Sequence, residues 1–231
     1  MRMHPSRPAR AQRGITGLET AIILIAFVVV ASVFAFTVLS TGIFASERSK
    51  ETVFSGIREA QSSLEPRGSV IAYKGLLSDG TKTVFKLTFT LSNAIAGEPV
   101  DLTPPYTSDG SGTDPDISSN AKYVTVVSYN DENQFLSDVP WSITYPGDDD
   151  GDNLLENNEK AEITVWLLDR NTATAIGTNG SVSTTTAAIS VGSQVLTAND
   201  EFTIEVKPPQ GAVLNIQRSL PAALDTVMDL N

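Results

Sequence analysis

From Thr20 through Ser46 the chain carries no charged residue, and within that span Ala21–Leu39 is apolar except for Ser32 and Thr37. A bilayer's hydrocarbon core takes roughly 20 helical residues. Inside lipid a spanning backbone can satisfy its polar groups only within itself. The run therefore has to be an α-helix wrapped in apolar material, and with its flanks Thr20 and Ser40–Phe44 it is long enough to span. Residues 1–14 ahead of it carry Arg2, Arg7, Arg10 and Arg13 and no acid, which predicts a cytoplasmic leader and an outside C-terminus. A secretory signal is cut after its apolar segment and loses it. Here Arg13-Gly14 places the cut before the segment, between Gly14 and Ile15, so the apolar helix becomes the new N-terminus. Such a helix can be stored in a bilayer and later exchange lipid for copies of itself. Hydropathy alone is equally compatible with a permanent single-span anchor.

The helix is predicted to continue past the membrane. Ser46–Glu65 lacks proline, and Val53, Ile57, Ala60 and Leu64 recur at three- and four-residue spacing with Phe54 adjoining. Pro66 and Gly68 are expected to end it. Ile15 to Leu64 is 50 residues, roughly 75 Å of helix at 1.5 Å per residue, too long for a bilayer anchor alone.

From Ser69 the hydrophobic period changes to two. Strands are predicted over Ser69–Leu77, Phe85–Leu91, Lys122–Tyr129, Trp141–Tyr145, Glu162–Leu168, Thr185–Val191, Phe202–Val206 and Val213–Gln217. Asp79-Gly80, Pro146-Gly147, Asn179-Gly180 and Pro208-Pro209 separate them as turns. The expected fold is α+β: a long N-terminal hydrophobic α-helix, then an antiparallel β-sandwich or barrel, immunoglobulin-like in the loose sense.

The 231 residues carry a formal charge of −11. Without the leader's four arginines, 12 of the 16 Lys and Arg remain against 27 Asp and Glu, or −15. So acidic a surface argues against nucleic acid, which requires clustered Lys and Arg along its phosphates. Cysteine is absent, and the one histidine, His4, lies in the leader. A chain starting at Ile15 thus has no Ser-His-Asp or Cys-His catalysis and no His- or Cys-ligated zinc or iron. Carboxylate chemistry survives, but no convergent set calls for it.

Arg13-Gly14, then Ile15-Thr16-Gly17-Leu18-Glu19-Thr20-Ala21, then Ile22 through Ala31 resemble the class III signal peptide of type IV pilins and archaellins, the archaeal flagellins. The wording is nearest to archaellin. Phe202 through Ala212, with Lys207-Pro208-Pro209-Gln210-Gly211, and Arg218-Ser219-Leu220-Pro221 are similar to archaellin too. The resemblance implies three segments: a leader, 1–14, removed by a prepilin-type signal peptidase; a helix, 15–65, spanning the membrane before assembly and forming the filament core after it; and an extracellular β-domain, 68–231. It implies self-assembly, alone or with related archaellins, driven by an assembly ATPase and its membrane platform, into the rotating extracellular filament. It implies no enzymatic activity and no required cofactor.

In type IV pilins a glutamate at the position of Glu19 is thought to pair with a neighbouring subunit's N-terminal amine, here that of Ile15. Glu19 is otherwise a helix N-terminal acid favoured by the macrodipole. The run Asp148 to Glu159 has Asp148, Asp150 and Asp152 at the first, third and fifth places of a twelve-residue calcium loop, and Glu159 at the closing place. Asn153 stands where glycine is usual, and the flanks read as strands. A Ca²⁺-binding β-connection and a solvated acidic loop both remain open. Asn179-Gly180-Ser181 is an N-glycosylation sequon, and equally a hairpin turn. Three functional readings follow: an archaellin, an archaeal adhesive pilin, or a single-span membrane-anchored extracellular binding module.

Overall fold

The computed structural model describes residues 13–77, 80–110, 114–118, 122–170, 182–183 and 195–231. The chain divides into two units, one ending at Phe54 and one comprising Ser55–Asn231. The first unit is helical. Helix α1 runs Arg13–Gln61, 49 residues, about 74 Å long at 1.5 Å per residue. Its apolar residues do not keep to one stripe, as expected of a helix surrounded by apolar material. The polar residues inside the run are satisfied internally: Ser32 Oγ donates to Val29 O, Thr37 Oγ1 to Val33 O and Thr41 Oγ1 to Thr37 O, each at 2.8 Å. The hydroxyls can thus enter a dry environment without a lost hydrogen bond.

The second unit carries the strands, all paired antiparallel. They are β1 (Leu64–Leu76), β2 (Lys82–Asn93), β3 (Val100–Asp101), β4 (Tyr106–Thr107), β5 (Asp116–Ile117), β6 (Val126–Asp131), β7 (Phe135–Leu136) and β8 (Trp141–Thr144). After these come β9 (Leu154–Leu155), β10 (Ala161–Trp166), β11 (Asp169–Arg170), β12 (Val182–Ser183), β13 (Glu201–Lys207), β14 (Leu214–Ser219) and β15 (Val227–Leu230). One sheet has the order β15-β1-β2-β10-β8, and a second β14-β13-β6-β7. Alternation places Phe202, Ile204 and Val206 of β13 inside, beside Val127 and Tyr129 of β6. These join Val70, Ala72, Leu87, Phe89, Leu91, Ile163 and Val165 of the first sheet in a single core. The two sheets therefore face each other as a sandwich. Trp141, Tyr129 and Phe202 are its largest fully buried side chains. The Tyr129 hydroxyl donates to Asp131 at 2.8 Å; burial first, then this carboxylate, push the phenol far above its ordinary pKa. Arg218 Nε donates to Leu230 O at 3.1 Å, tying edge strand β14 of one sheet to edge strand β15 of the other.

The helix ends earlier than its periodicity suggests. Gln61 is its last residue, and Leu64, expected on the helix, begins β1 and is 7% exposed. Ser63 is responsible: its Oγ back-bonds to Glu59 O at 3.2 Å, and its carbonyl accepts from Ala94 N at 2.9 Å. Capture by the end of β2 outweighs one more turn. Pro66 and Gly68, expected as helix terminators, lie inside β1. There β1 has β2 on one side only, an edge position that tolerates proline. Gly68, at φ +85°, falls within a register shift between Arg67 and Ile71. Lys122–Thr125, expected at the start of a strand, precede β6, and β15 was not foreseen. The expected strand Thr185–Val191 lies outside the described residues.

The join between helix and sandwich is tight. A Cβ placed on Gly97 would lie 2.5 Å from Gln61 Cβ, and one on Gly211, at φ +99°, would lie 2.2 Å from Ser62 O. Arg58 and Glu98 form an ion pair at 3.2 Å. Gly211→Ala is therefore expected to destabilise the domain by roughly 3 kcal/mol, through left-handed strain plus a collision with backbone. Gly147→Ala, at φ +109° but in open space, should cost about 1 kcal/mol from strain alone. Thermal melts of the full chain in detergent, read on the β signal, give the comparison.

Candidate assembly surface and acidic clusters

Every described side chain from Gly17 to Ala60 is exposed except Ser40, which is half-buried. The exposed set includes Phe27, Phe34 and Phe36 at 72% each, Ile23 at 70% and Val30 at 66%. It runs from Leu18 to Ile57 and comprises about 20 large apolar side chains, each worth about 1.5–3 kcal/mol if removed from water. The sum, tens of kcal/mol, exceeds the roughly 5–15 kcal/mol that holds a domain folded. The helix is long and apolar enough to cross a membrane, with mean hydropathy 3.0 in its most apolar window. It cannot remain bare in water. Ala21, Ala26, Ala31, Ala35 and Gly42 provide sites of close approach. A Cβ at Gly17, Gly42 or Gly56 would meet nothing within 4 Å among the described residues.

At the start of the helix, Gly14 and Ile15, the expected cleavage pair, sit in helical backbone, four residues before Glu19. Glycine is about 1 kcal/mol less favourable than alanine in a helix. Gly14 and Gly17 therefore make this first turn the easiest one to unwind. Glu19 is exposed.

The acidic connection folds as a chain of side-chain-to-backbone turns. Asp149 Oδ1 accepts from Gly151 N at 2.9 Å, Asp150 Oδ1 from Asp152 N at 3.3 Å and Asp152 Oδ1 from Leu154 N at 2.7 Å. Glu159 Oε2 accepts from Glu156 N at 2.9 Å. Left-handed backbone falls at Gly151 and Asn158, and Asn153 does not adopt it. At the sixth place of the twelve-residue loop the left-handed turn that glycine usually supplies is therefore missing. Asp149, Asp150 and Glu159 bring carboxylate oxygens within 4.8 Å of one another, while Asp148 and Asp152 stand outside that group. They border an open depression of about 450 Å³. Burial first, then Glu159 and Asp152, raise the Tyr145 phenol above its ordinary pKa. A second convergence, Asp109, Asp114 and Asp116, carried no sequence signal; Asp114 there is fully buried. Asn179 lies outside the described residues.

An uncovered apolar helix at the N-terminus of a β-sandwich defines a class of protein that must associate. The comparisons specify the class. Residues 14–218 match the family model of archaeal-type flagellin. The chain is 35% identical over 224 residues to "Probable flagellin 1" of Archaeoglobus fulgidus, covering 95% of each. It is 36% identical over 230 residues to "Probable flagellin 2" of the same organism, covering 96% of each. Among solved structures it is similar to the archaeal flagellum of Methanospirillum hungatei strain JF1, with TM-score 0.56 and 25% identity over 93% of this chain and 98% of that one. The chain belongs to the archaeal-type flagellin family.

Proposed function

We propose that this chain is a structural subunit of the archaellum, the archaeal swimming filament, with α1 forming the filament's dry core and the β-sandwich its outer coat. The observation that carries the reading is a helix of 49 residues, far longer than a bilayer is thick, whose apolar stretch is exposed throughout. Lipid covers such a helix as well as protein does, so hydrophobicity alone does not favour polymer over membrane. Packing among many helices supplies one bias, and an assembly ATPase acting through its membrane platform supplies another. The family is a structural one, and the chain's part in motility is to build the filament.

Before assembly the helix lies in the cell membrane with its leader in the cytoplasm. A prepilin-type signal peptidase cuts between Gly14 and Ile15, where the missing side chain and the weak first turn give access. The new amine on Ile15 then pairs with Glu19 of a neighbouring copy. Desolvated inside the filament, that pair favours one axial register. The Asp149–Asp150–Glu159 group binds Ca²⁺, a hard cation suited to oxygen ligands alone, which relieves the repulsion among the acids of this loop. Asn179 is the glycan acceptor if the exposed coat is N-glycosylated.

Gly14→Val should leave membrane insertion intact and block maturation. A leader-bearing band on immunoblots and bare cells under negative stain are expected; normal filaments would refute the cleavage site. Val30→Glu should abolish filaments while the β-domain keeps its melting temperature, because an unpaired carboxylate in a dry core costs far more than the roughly 2–7 kcal/mol of a neutral polar group buried without a hydrogen bond. Calcium should raise the melting temperature of the full chain in detergent, since a ligand of the native state stabilises it by mass action. Asp150→Ala should remove that rise and Asp148→Ala should keep it. Equal melting in calcium and in chelator would rule out the cation.

A further inference from the structure

We infer that the outer face of the first sheet carries a binding cavity for a short neutral saccharide met outside the cell, a function separate from filament building. The cavity measures about 690 Å³, within the roughly 300–1,000 Å³ of small-molecule sites. Its walls come from Arg67 on β1, Thr90 and Ser92 on β2, and Asn157, Asn158 and Lys160 just before β10. On β2, Leu87, Phe89 and Leu91 face the core, so Thr90 and Ser92 point the other way. The ladder sets Arg67 opposite Thr90, and Arg67 Nε donates to Ser92 Oγ at 2.8 Å. Across the cavity, Asn157 Oδ1 accepts from Gly97 N at 3.2 Å. Asn93, also in the wall, donates through Nδ2 to Leu155 O at 3.0 Å. These bonds hold the walls in place before any ligand arrives, which lowers the cost of binding one.

Three lining groups are not spent on the fold. Among the described residues, the Thr90 hydroxyl, the Asn158 amide and the Lys160 ammonium take no hydrogen bond or ion pair. The chemistry of the walls selects the ligand. Only Ala96 and Pro146 among the described lining side chains are apolar, so a flat hydrophobic ligand finds nothing to stack on. An anion is disfavoured, because Arg67 already pairs with Glu65. Glu159 also stands in the wall, with the carboxylates of Asp149 and Asp150 beside it. The ligand that fits is neutral and both donates and accepts at its contacts. A hydroxyl does this, and it meets its own kind in the hydroxyls and amides of the wall. A saccharide sets several such hydroxyls on one small, rigid frame.

The test titrates the full chain in a detergent without a sugar headgroup and with chelator present, so that neither bound calcium nor filament assembly enters the result. Maltotriose, mannotriose and chitotriose are the probes, followed by saturation-transfer NMR. At least one should bind with a millimolar or tighter dissociation constant. Thr90→Val with Lys160→Met keeps the shape of the wall and removes two of its free polar groups. It should melt like the parent and bind roughly ten-fold more weakly, the effect of two lost hydrogen bonds. If that pair disturbs the fold, Asn158→Asp serves instead, since aspartate also tolerates the left-handed backbone at φ +74°. It exchanges two N–H donors for a charge and should weaken binding as well. Glucuronate and sulfate are the anion controls. Absence of binding by all three trisaccharides, binding unchanged in the variants, or tighter binding of either anion overturns the saccharide site. Intact filaments sheared from cells should take up the same probe, and failure to do so overturns recognition of a saccharide from outside.

Discussion

An apolar helix whose described side chains lie almost wholly exposed governs the behaviour of this protein. About 20 large hydrophobic side chains lie open along α1, and at about 1.5–3 kcal/mol each they forbid an isolated subunit in water. Two environments satisfy them, a bilayer and a bundle of like helices. Moving between the two changes little hydrophobic free energy, so the helix can be held in one and delivered to the other. The internal bonds of Ser32, Thr37 and Thr41 matter for the same reason. They free these three hydroxyls from any need of water in either environment.

The β-sandwich is built to be independent of that exchange. Its core is closed by residues from both sheets, and Arg218 ties the edge strands β14 and β15 together through the Leu230 carbonyl. The ladder from Leu64 onward starts three residues after the helix ends, and the intervening turn is fixed by Ser63, Gly97 and Gly211. With no cysteine available, packing at this junction takes the part that disulfides play in small secreted domains.

The parts legible in the sequence were those where one physical effect dominates. Ala21–Leu39 permits only a helix, because no other backbone satisfies itself in an apolar medium. Phe202, Ile204 and Val206 alternate cleanly because one face of β13 meets the core. The less legible features depend on distant chain. Val53, Ile57 and Ala60 continue the helical period toward Leu64, but β2 captures Ser63 and turns Leu64 into a strand residue. Spacing pointed to Asp148, Asp150, Asp152 and Glu159 as a set, whereas the folded connection brings together the carboxylates of Asp149, Asp150 and Glu159. Asp114 joins Asp109 and Asp116 only through the fold. The four residues of β15 are too short a run to show a period, and β1 recruits them.

On the proposed reading the helix, dry and shared among copies, forms the filament's core. Because the natural chain lacks cysteine, a single Val30→Cys variant provides a clean probe on intact filaments sheared from cells and freed of lipid. Its thiol should resist a water-soluble maleimide until the filament is dissolved in detergent, while a Phe135→Cys thiol should react at once. Rapid labelling of the Val30→Cys thiol in intact filaments would contradict a dry helical core.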